Sequence, residues 1–213
     1  MTRPDQVKGL MTTPPVSDSA SHTPASSNTG ADTSLTMLPG GIVAEAEFIP
    51  SPNQDVRPEG MPTELLVIHN ISLPPGEYGG NGIRELFTNQ LQAGDHPYYA
   101  SIHTLKVSAH FVIRREGELQ QYVSCEARAW HAGVSQWQGK ERCNDFSIGI
   151  ELEGCDDEAF TTAQYQRLCR LIALLQHHYP IRDIVGHSDI APTRKTDPGP
   201  YFDWKILAQF KQQ

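Results

Sequence analysis

The chain has 213 residues, with 17 basic and 25 acidic side chains and a formal net charge of −8. That length fits one domain with spare chain. The acidic balance excludes general binding to nucleic acid or to an anionic membrane surface, because both need clustered Lys and Arg. No apolar run reaches the ~20 residues of a bilayer span. The four cysteines, Cys125, Cys143, Cys155 and Cys169, have neither the spacing of a zinc ribbon nor that of a redox pair.

Residues 1–38 differ from the rest. They contain no aromatic residue, and Ser, Thr and Pro fill 17 of the 38 positions. Such a stretch buries too little apolar surface to offset its ordering entropy, so a disordered tail is expected there and the folded domain over 39–213. The first thirty residues also lack the apolar segment of a secretory signal, so the expected location is cytoplasmic, with reduced thiols.

From residue 41 onward the pattern becomes regular. Residues 65–68 (Leu-Leu-Val-Ile) are a short continuous apolar run ending at His69-Asn70 and the turn formers Pro74-Pro75-Gly76, which predicts a buried central strand. Ile83, Leu86, Phe87 and Leu91 share one face of a helix over 82–91. The stretch 73–99, rich in Pro, Gly and aromatic residues, reads either as a lid or as a loop and helix packed on the sheet. Residues 107–113 and 118–123 flank Arg115-Glu116-Gly117, a hairpin signal. Residues 146–153 alternate as a strand, with Glu151 and Glu153 on one face.

The clearest helix begins at Thr161, where Gln164 three residues on completes a capping box. Tyr165, Leu168, Cys169, Ile172 and Leu175 form its apolar stripe, and Pro180 closes it. Residues 181–185 predict a short strand that delivers Gly186-His187. A final helix is expected from Asp203 through Trp204, Leu207 and Phe210. The sum is a single α/β domain with a central mixed sheet flanked by helices.

Candidate chemistry starts with His69 at the carboxyl end of a buried strand. His187 and Asp197 follow on a turn-rich segment. Two imidazoles and one carboxylate match the three protein ligands of a catalytic Zn2+, whose open fourth position takes water. By spacing alone, His69 reads more readily as a core histidine, and His187 and Asp197 as a polar loop. Glu151 is either a member of a solvated face or, beside a metal, a group that takes a proton from water and hands it to a leaving nitrogen. Lys195, two residues before Asp197, is a solvated lysine or a cation for a developing oxyanion. Trp130-His131-Ala132-Gly133 suits stacking on a sugar ring, or Trp130 is core. Arg142 and Asn144 are a surface pair or contacts for ligand carboxylates and amides.

Several long segments carry a resemblance, in order. They are His69-Asn70-Ile71-Ser72-Leu73-Pro74-Pro75-Gly76-Glu77, Val107-Ser108-Ala109-His110 and Ala129-Trp130-His131-Ala132-Gly133-Val134-Ser135. The run from Arg142-Cys143-Asn144-Asp145-Phe146 to Glu151-Leu152-Glu153-Gly154 and Lys195-Thr196-Asp197-Pro198-Gly199-Pro200 complete them. From about residue 41 to 210 the chain closely resembles the zinc N-acetylmuramoyl-L-alanine amidases, a family shared with a phage lysozyme and peptidoglycan-recognition proteins. Within it, the likeness is to the cytoplasmic amidases that act on 1,6-anhydro-muropeptides during cell-wall recycling.

The resemblance implies His69, His187 and Asp197 as Zn2+ ligands, Glu151 as the acid/base and Lys195 as the oxyanion stabiliser. It implies Asn70 and Trp130 in the substrate pocket and Arg142 at the stem-peptide carboxylates. It gives His110 and His131 no ligand role. A small soluble muropeptide is the implied partner of a monomer. Its removal would hold down muropeptide signals that induce β-lactamase. Two other readings stay open: a recognition protein that binds peptidoglycan without cutting it, and an amidase of the intact wall. The long tail is not part of the usual enzyme.

Overall fold

A computed structural model describes residues 34–210. The disordered tail expected over 1–38 lies mostly outside the described residues. Its inner end does not: Met37–Leu38 pairs antiparallel with Ile42–Val43, and Leu35 and Met37 pack on the main core. The fold therefore reaches a few residues upstream of the expected boundary at Leu38, because these apolar side chains find a surface to cover.

Six strands build the central sheet: β1 (Glu47–Phe48), β2 (Leu65–Ile71), β3 (Phe111–Ile113), β4 (Leu119–Gln121), β5 (Ser147–Glu153) and β6 (Asp183–Gly186). Their order across the sheet is β6-β2-β5-β3-β4-β1. The four strands β6, β2, β5 and β3 run parallel. β3 and β4 form the antiparallel hairpin expected around Arg115-Glu116-Gly117, and β1 joins parallel to β4. Gly117 takes φ +86°, and a Cβ there would meet the Ala163 carbonyl at 3.1 Å, so the turn is specific for glycine.

The central parallel strands are covered on both faces, which is why residues 65–68 read as a continuous apolar run. Leu66 and Ile68 of β2, with Ile148, Ile150 and Leu152 of β5, face helix α2 (Thr162–His178). α2 carries the expected capping box: Thr161 Oγ1 accepts from Gln164 N–H, and Gln164 Oε1 accepts from Thr161 N–H. Its stripe of Tyr165, Leu168, Leu171, Ile172 and Leu175 is buried against those strand residues. Cys169 is only partly buried at the edge of that contact.

The opposite face is covered in two patches. Ile83, Leu86 and Phe87 of α1 (Gly82–Phe87) pack with Val112 and Tyr122. The helix within the segment over 73–99 is thus packed on the sheet. Farther along, Leu65, Val67 and Val185 pack with Ala132, Phe146 and Ile190. Between these two patches, the carboxyl ends of β2, β5 and β6 carry polar residues.

Three expectations are corrected. The helix over 82–91 stops at Phe87, and the segment from Asp203 forms a 3-10 helix over Trp204–Phe210 rather than an α-helix. The face that holds Glu151 and Glu153 is not solvated: every residue of β5 is buried. Alternation distinguishes the two faces of a strand but not which of them meets water, and here both are covered. No helix among the described residues is long and apolar enough to cross a membrane.

Candidate metal centre

Three elements bring the site together. His69 projects from the end of β2. His187 opens α3 (His187–Ile190), immediately after β6. Asp197 comes from the following loop, whose carbonyl accepts from Ser188 N–H at 2.9 Å. Sheet edges at the carboxyl ends of parallel strands are the usual place for a binding site in such folds.

His69 Nδ1, His187 Nδ1 and Asp197 Oδ2 stand 3.0 Å from one another on all three sides. A tetrahedral ion with bonds of about 2.0 Å spaces its ligands by roughly 3.3 Å, so the triangle has the dimensions of a metal face. The proton positions agree. His187 Nε2 lies 3.0 Å from the Ala132 carbonyl, which only accepts, so that nitrogen carries the hydrogen. With that hydrogen on Nε2, the neutral tautomer of His187 presents a bare Nδ1 to the Asp197 carboxylate, with no hydrogen between two electron-pair donors. A cation resolves that contact. Among the described residues, these three form a group able to hold a metal ion.

Glu151 lies beside this triangle. It is the register partner of His69 on the adjacent parallel strand, so both side chains leave the same face of the sheet. Its Oε2 is buried and has no hydrogen-bond partner among the described residues. Burial pushes its carboxyl well above the usual carboxylate range; the Asp197 charge adds to that rise and Lys195 opposes it. Glu153, two residues on, is held quite differently. It pairs with Arg114 at 3.2 Å and accepts from Gly79 N–H and Arg115 N–H. Of two carboxylates on one face, one is tied down and one is left free.

A groove of about 540 Å³ opens over the triangle. His69, Asn70, Trp130, Glu151, His187, Lys195 and Asp197 all line it. Asn70 Nδ2 donates to Asp156 Oδ1 at 2.7 Å along one wall. Arg142 is placed elsewhere. Its side chain is mostly exposed, pairs with Asp145 at 3.2 Å, and borders a neighbouring depression with Gly133 and Asp189. The Oδ1 of Asn144 is engaged within the fold: it accepts from both His131 N–H and Ala132 N–H.

From the sequence, His131 has no ligand role, and none is assigned to Ser147 or Gly149. His131 is buried under His69, with Nε2 of His69 3.0 Å from its Nδ1. Ser147 Oγ lies 3.1 Å from the other nitrogen of His131. Gly149 makes room for the ring. The one sequence signal for this arrangement is a glycine inside an apolar strand, which marks close approach of another group. Burial pulls the pKa of His69 down to about 4 and that of His131 well below the usual imidazole value, so both are neutral near pH 7.

The sequence profile of the N-acetylmuramoyl-L-alanine amidases matches residues 59–200. The chain belongs to the N-acetylmuramoyl-L-alanine amidase family. It is 57% identical over 170 residues to the 1,6-anhydro-N-acetylmuramyl-L-alanine amidase AmpD of Citrobacter freundii, covering 79% of this chain and 91% of that one. A crystal structure of a selenomethionine derivative of AmpD superposes with a TM-score of 0.80 at 55% identity, covering 83% of this chain and all of the other. A second amidase, AmiD of E. coli, was solved with the substrate anhydro-N-acetylmuramic acid-L-Ala-D-gamma-Glu-L-Lys. It matches at 32% identity with a TM-score of 0.52, covering 73% of this chain and 60% of that one. The matched region shares their fold, and here a mixed sheet with flanking helices forms one domain.

Proposed function

We propose that this amidase is a Zn2+-dependent hydrolase of soluble 1,6-anhydro-muropeptides, acting in the cytoplasm as a monomer during peptidoglycan recycling. It cuts the amide between the lactyl group of 1,6-anhydro-N-acetylmuramic acid and L-alanine. The observation that carries the reading is the free, buried carboxyl of Glu151 beside the triangle of His69, His187 and Asp197. The names of the AmpD relatives support the substrate.

His69, His187 and Asp197 would hold the ion. Bound there, Zn2+ supplies Lewis acidity, which polarises the scissile carbonyl and lowers the pKa of water toward neutrality. Glu151 takes one proton from the attacking water as the new C–O bond forms. It then gives that proton to the alanine nitrogen as the C–N bond breaks, so the stem peptide leaves with a free amine. A carboxyl raised by burial is closer in basicity to the working pH than an exposed one, which suits both transfers. Lys195 lines the groove, and its ammonium would stabilise the oxyanion that develops on the carbonyl oxygen.

Trp130 offers a flat wall to the sugar, and Asn70 a polar contact on the same wall as Asp156. Arg142 meets the stem-peptide carboxylates only where the peptide leaves the groove toward the depression by Gly133. Disposal of the substrate would also hold down muropeptide signals for β-lactamase induction.

The deciding experiment is mass spectrometry of products from a defined anhydro-muropeptide, with and without chelator. Free stem peptide and anhydro-N-acetylmuramic acid, lost on chelation and restored by Zn2+, support the proposal. Binding without cleavage would support a recognition protein, and preference for intact sacculus would support a wall amidase.

A further inference from the structure

The contacts behind His69 have a direction that can be read from hydrogen positions. Ser147 Oγ is 2.6 Å from the Cys143 carbonyl oxygen. A carbonyl cannot donate, so the hydroxyl hydrogen lies between them. Ser147 Oγ therefore meets His131 Nε2, at 3.1 Å, with a lone pair. That nitrogen must carry its hydrogen, and a neutral His131 then has a bare Nδ1. The bare Nδ1 faces His69 Nε2 at 3.0 Å, so His69 Nε2 carries the hydrogen in turn. His69 is left with a bare Nδ1, which is the atom in the donor triangle.

The chain around these contacts is built to hold them. A Cβ on Gly149 would meet the His131 ring at 2.5 Å, so only glycine at that position admits the imidazole beneath the sheet. The backbone N–H groups of His131 and Ala132 both donate to Asn144 Oδ1, at 3.1 and 2.8 Å. The Ala132 carbonyl accepts from Arg194 at 2.7 Å as well as from His187 Nε2. Two consecutive residues thus back both imidazoles of the triangle.

We propose that Ser147 and His131 are positioning residues that fix His69 in the tautomer presenting Nδ1 to the metal, while the Ala132 carbonyl fixes His187 in the same sense. The hydrogens run one way, from His69 to His131 to Ser147 to the Cys143 carbonyl. This rests on reading the triangle as a Zn2+ site. Both act through His69, and Ser147 is not among the residues that line the groove. Their effect is to make the ligand nitrogens bare and correctly aimed before an ion arrives, and to keep the rings from turning away.

The test measures Zn2+ affinity by chelator competition on the loaded protein, together with the His131 tautomer by long-range 1H–15N NMR. Loss of such a partner to a metal-ligating histidine typically weakens metal binding by about 10–100-fold. His131→Leu and Ser147→Ala are expected to show losses in that range. His131→Asn, whose side-chain oxygen can occupy the place of the imidazole Nδ1, is expected to recover most of the affinity. In the loaded wild type, His131 is expected to carry its hydrogen on Nε2. Wild-type affinity in a natively folded His131→Leu or Ser147→Ala, or a hydrogen on Nδ1 of His131, overturns the proposal. If His131→Leu does not fold, Ser147→Ala and the wild-type NMR measurement still decide it. If the wild type itself binds no Zn2+, it is the metal reading that fails.

Discussion

Glu151 and His69 are direct neighbours across two parallel strands, paired in register with their side chains on one face of the sheet. Strand geometry therefore fixes a carboxyl next to a metal-ligand candidate, with no loop needed to bring them together. The same pairing sets Leu152 beside Asn70, and Asn70 too lines the groove. A site built on the central strands is held more rigidly than one built on loops.

The first prediction concerns turnover. Glu151→Gln keeps the shape of the side chain and removes its basicity. A loss of about 10²–10⁴-fold in kcat is expected, with Zn2+ content unchanged by elemental analysis. Near-normal turnover in a metal-loaded variant would exclude the acid/base role.

The same residue affects stability. Its carboxyl is raised in the folded state, so above the unfolded pKa the folded protein binds the extra proton and stability falls with rising pH until the folded pKa is passed. Below the unfolded pKa there is no cost. In chelator-treated protein, Glu151→Gln should thus be more stable than wild type at pH 7–8, and the gap in Tm should shrink toward pH 4. A constant gap across that range contradicts the linkage.

Removal of one ligand tests the triangle. Asp197→Ala leaves two imidazoles and no negative charge to balance a divalent ion. Zn2+ should be lost on dialysis against a mild chelator that leaves wild type loaded, and turnover should be abolished. Retention of one Zn2+ per chain would place the metal elsewhere.

Asn144 is predicted to act on the fold and not as a ligand contact. Asn144→Ala leaves two backbone N–H groups of His131 and Ala132 without their acceptor. A cost of about 1–3 kcal/mol is expected for such a loss. Thermal unfolding would read it as a lower Tm. The Michaelis constant for a substrate lacking stem-peptide carboxylates should change no less than that for the full substrate.

Far from the site, Thr161→Ala removes the helix cap of α2 and the bond from Thr161 Oγ1 to the Arg115 carbonyl. About 1 kcal/mol is expected from the cap alone. Denaturant midpoints should fall while Zn2+ affinity stays at the wild-type value.

The sequence by itself determined whatever depends on local pattern. Thr161 with Gln164 started a helix because the cap is satisfied within one turn. The apolar run at 65–68 became a central strand because no face of it could meet water. The ordered motifs named the family and, through it, the residues that converge at the triangle. Local pattern failed where a distant segment decides the outcome. Alternation in β5 put Glu151 and Glu153 on one face, but only the packing of Arg114, Gly79 and Arg115 around Glu153, with nothing on Oε2 of Glu151, separates a structural carboxylate from a free one. Arg142 and Asn144 stood together in a family motif, yet the fold sends one outward to Asp145 and turns the other inward to His131. The direction of the hydrogens behind His69 is likewise tertiary. It depends on a carbonyl, a hydroxyl and an imidazole from segments that meet only when the sheet has formed, and hydrogen-bond direction is a property of the assembled network and of no single residue in it.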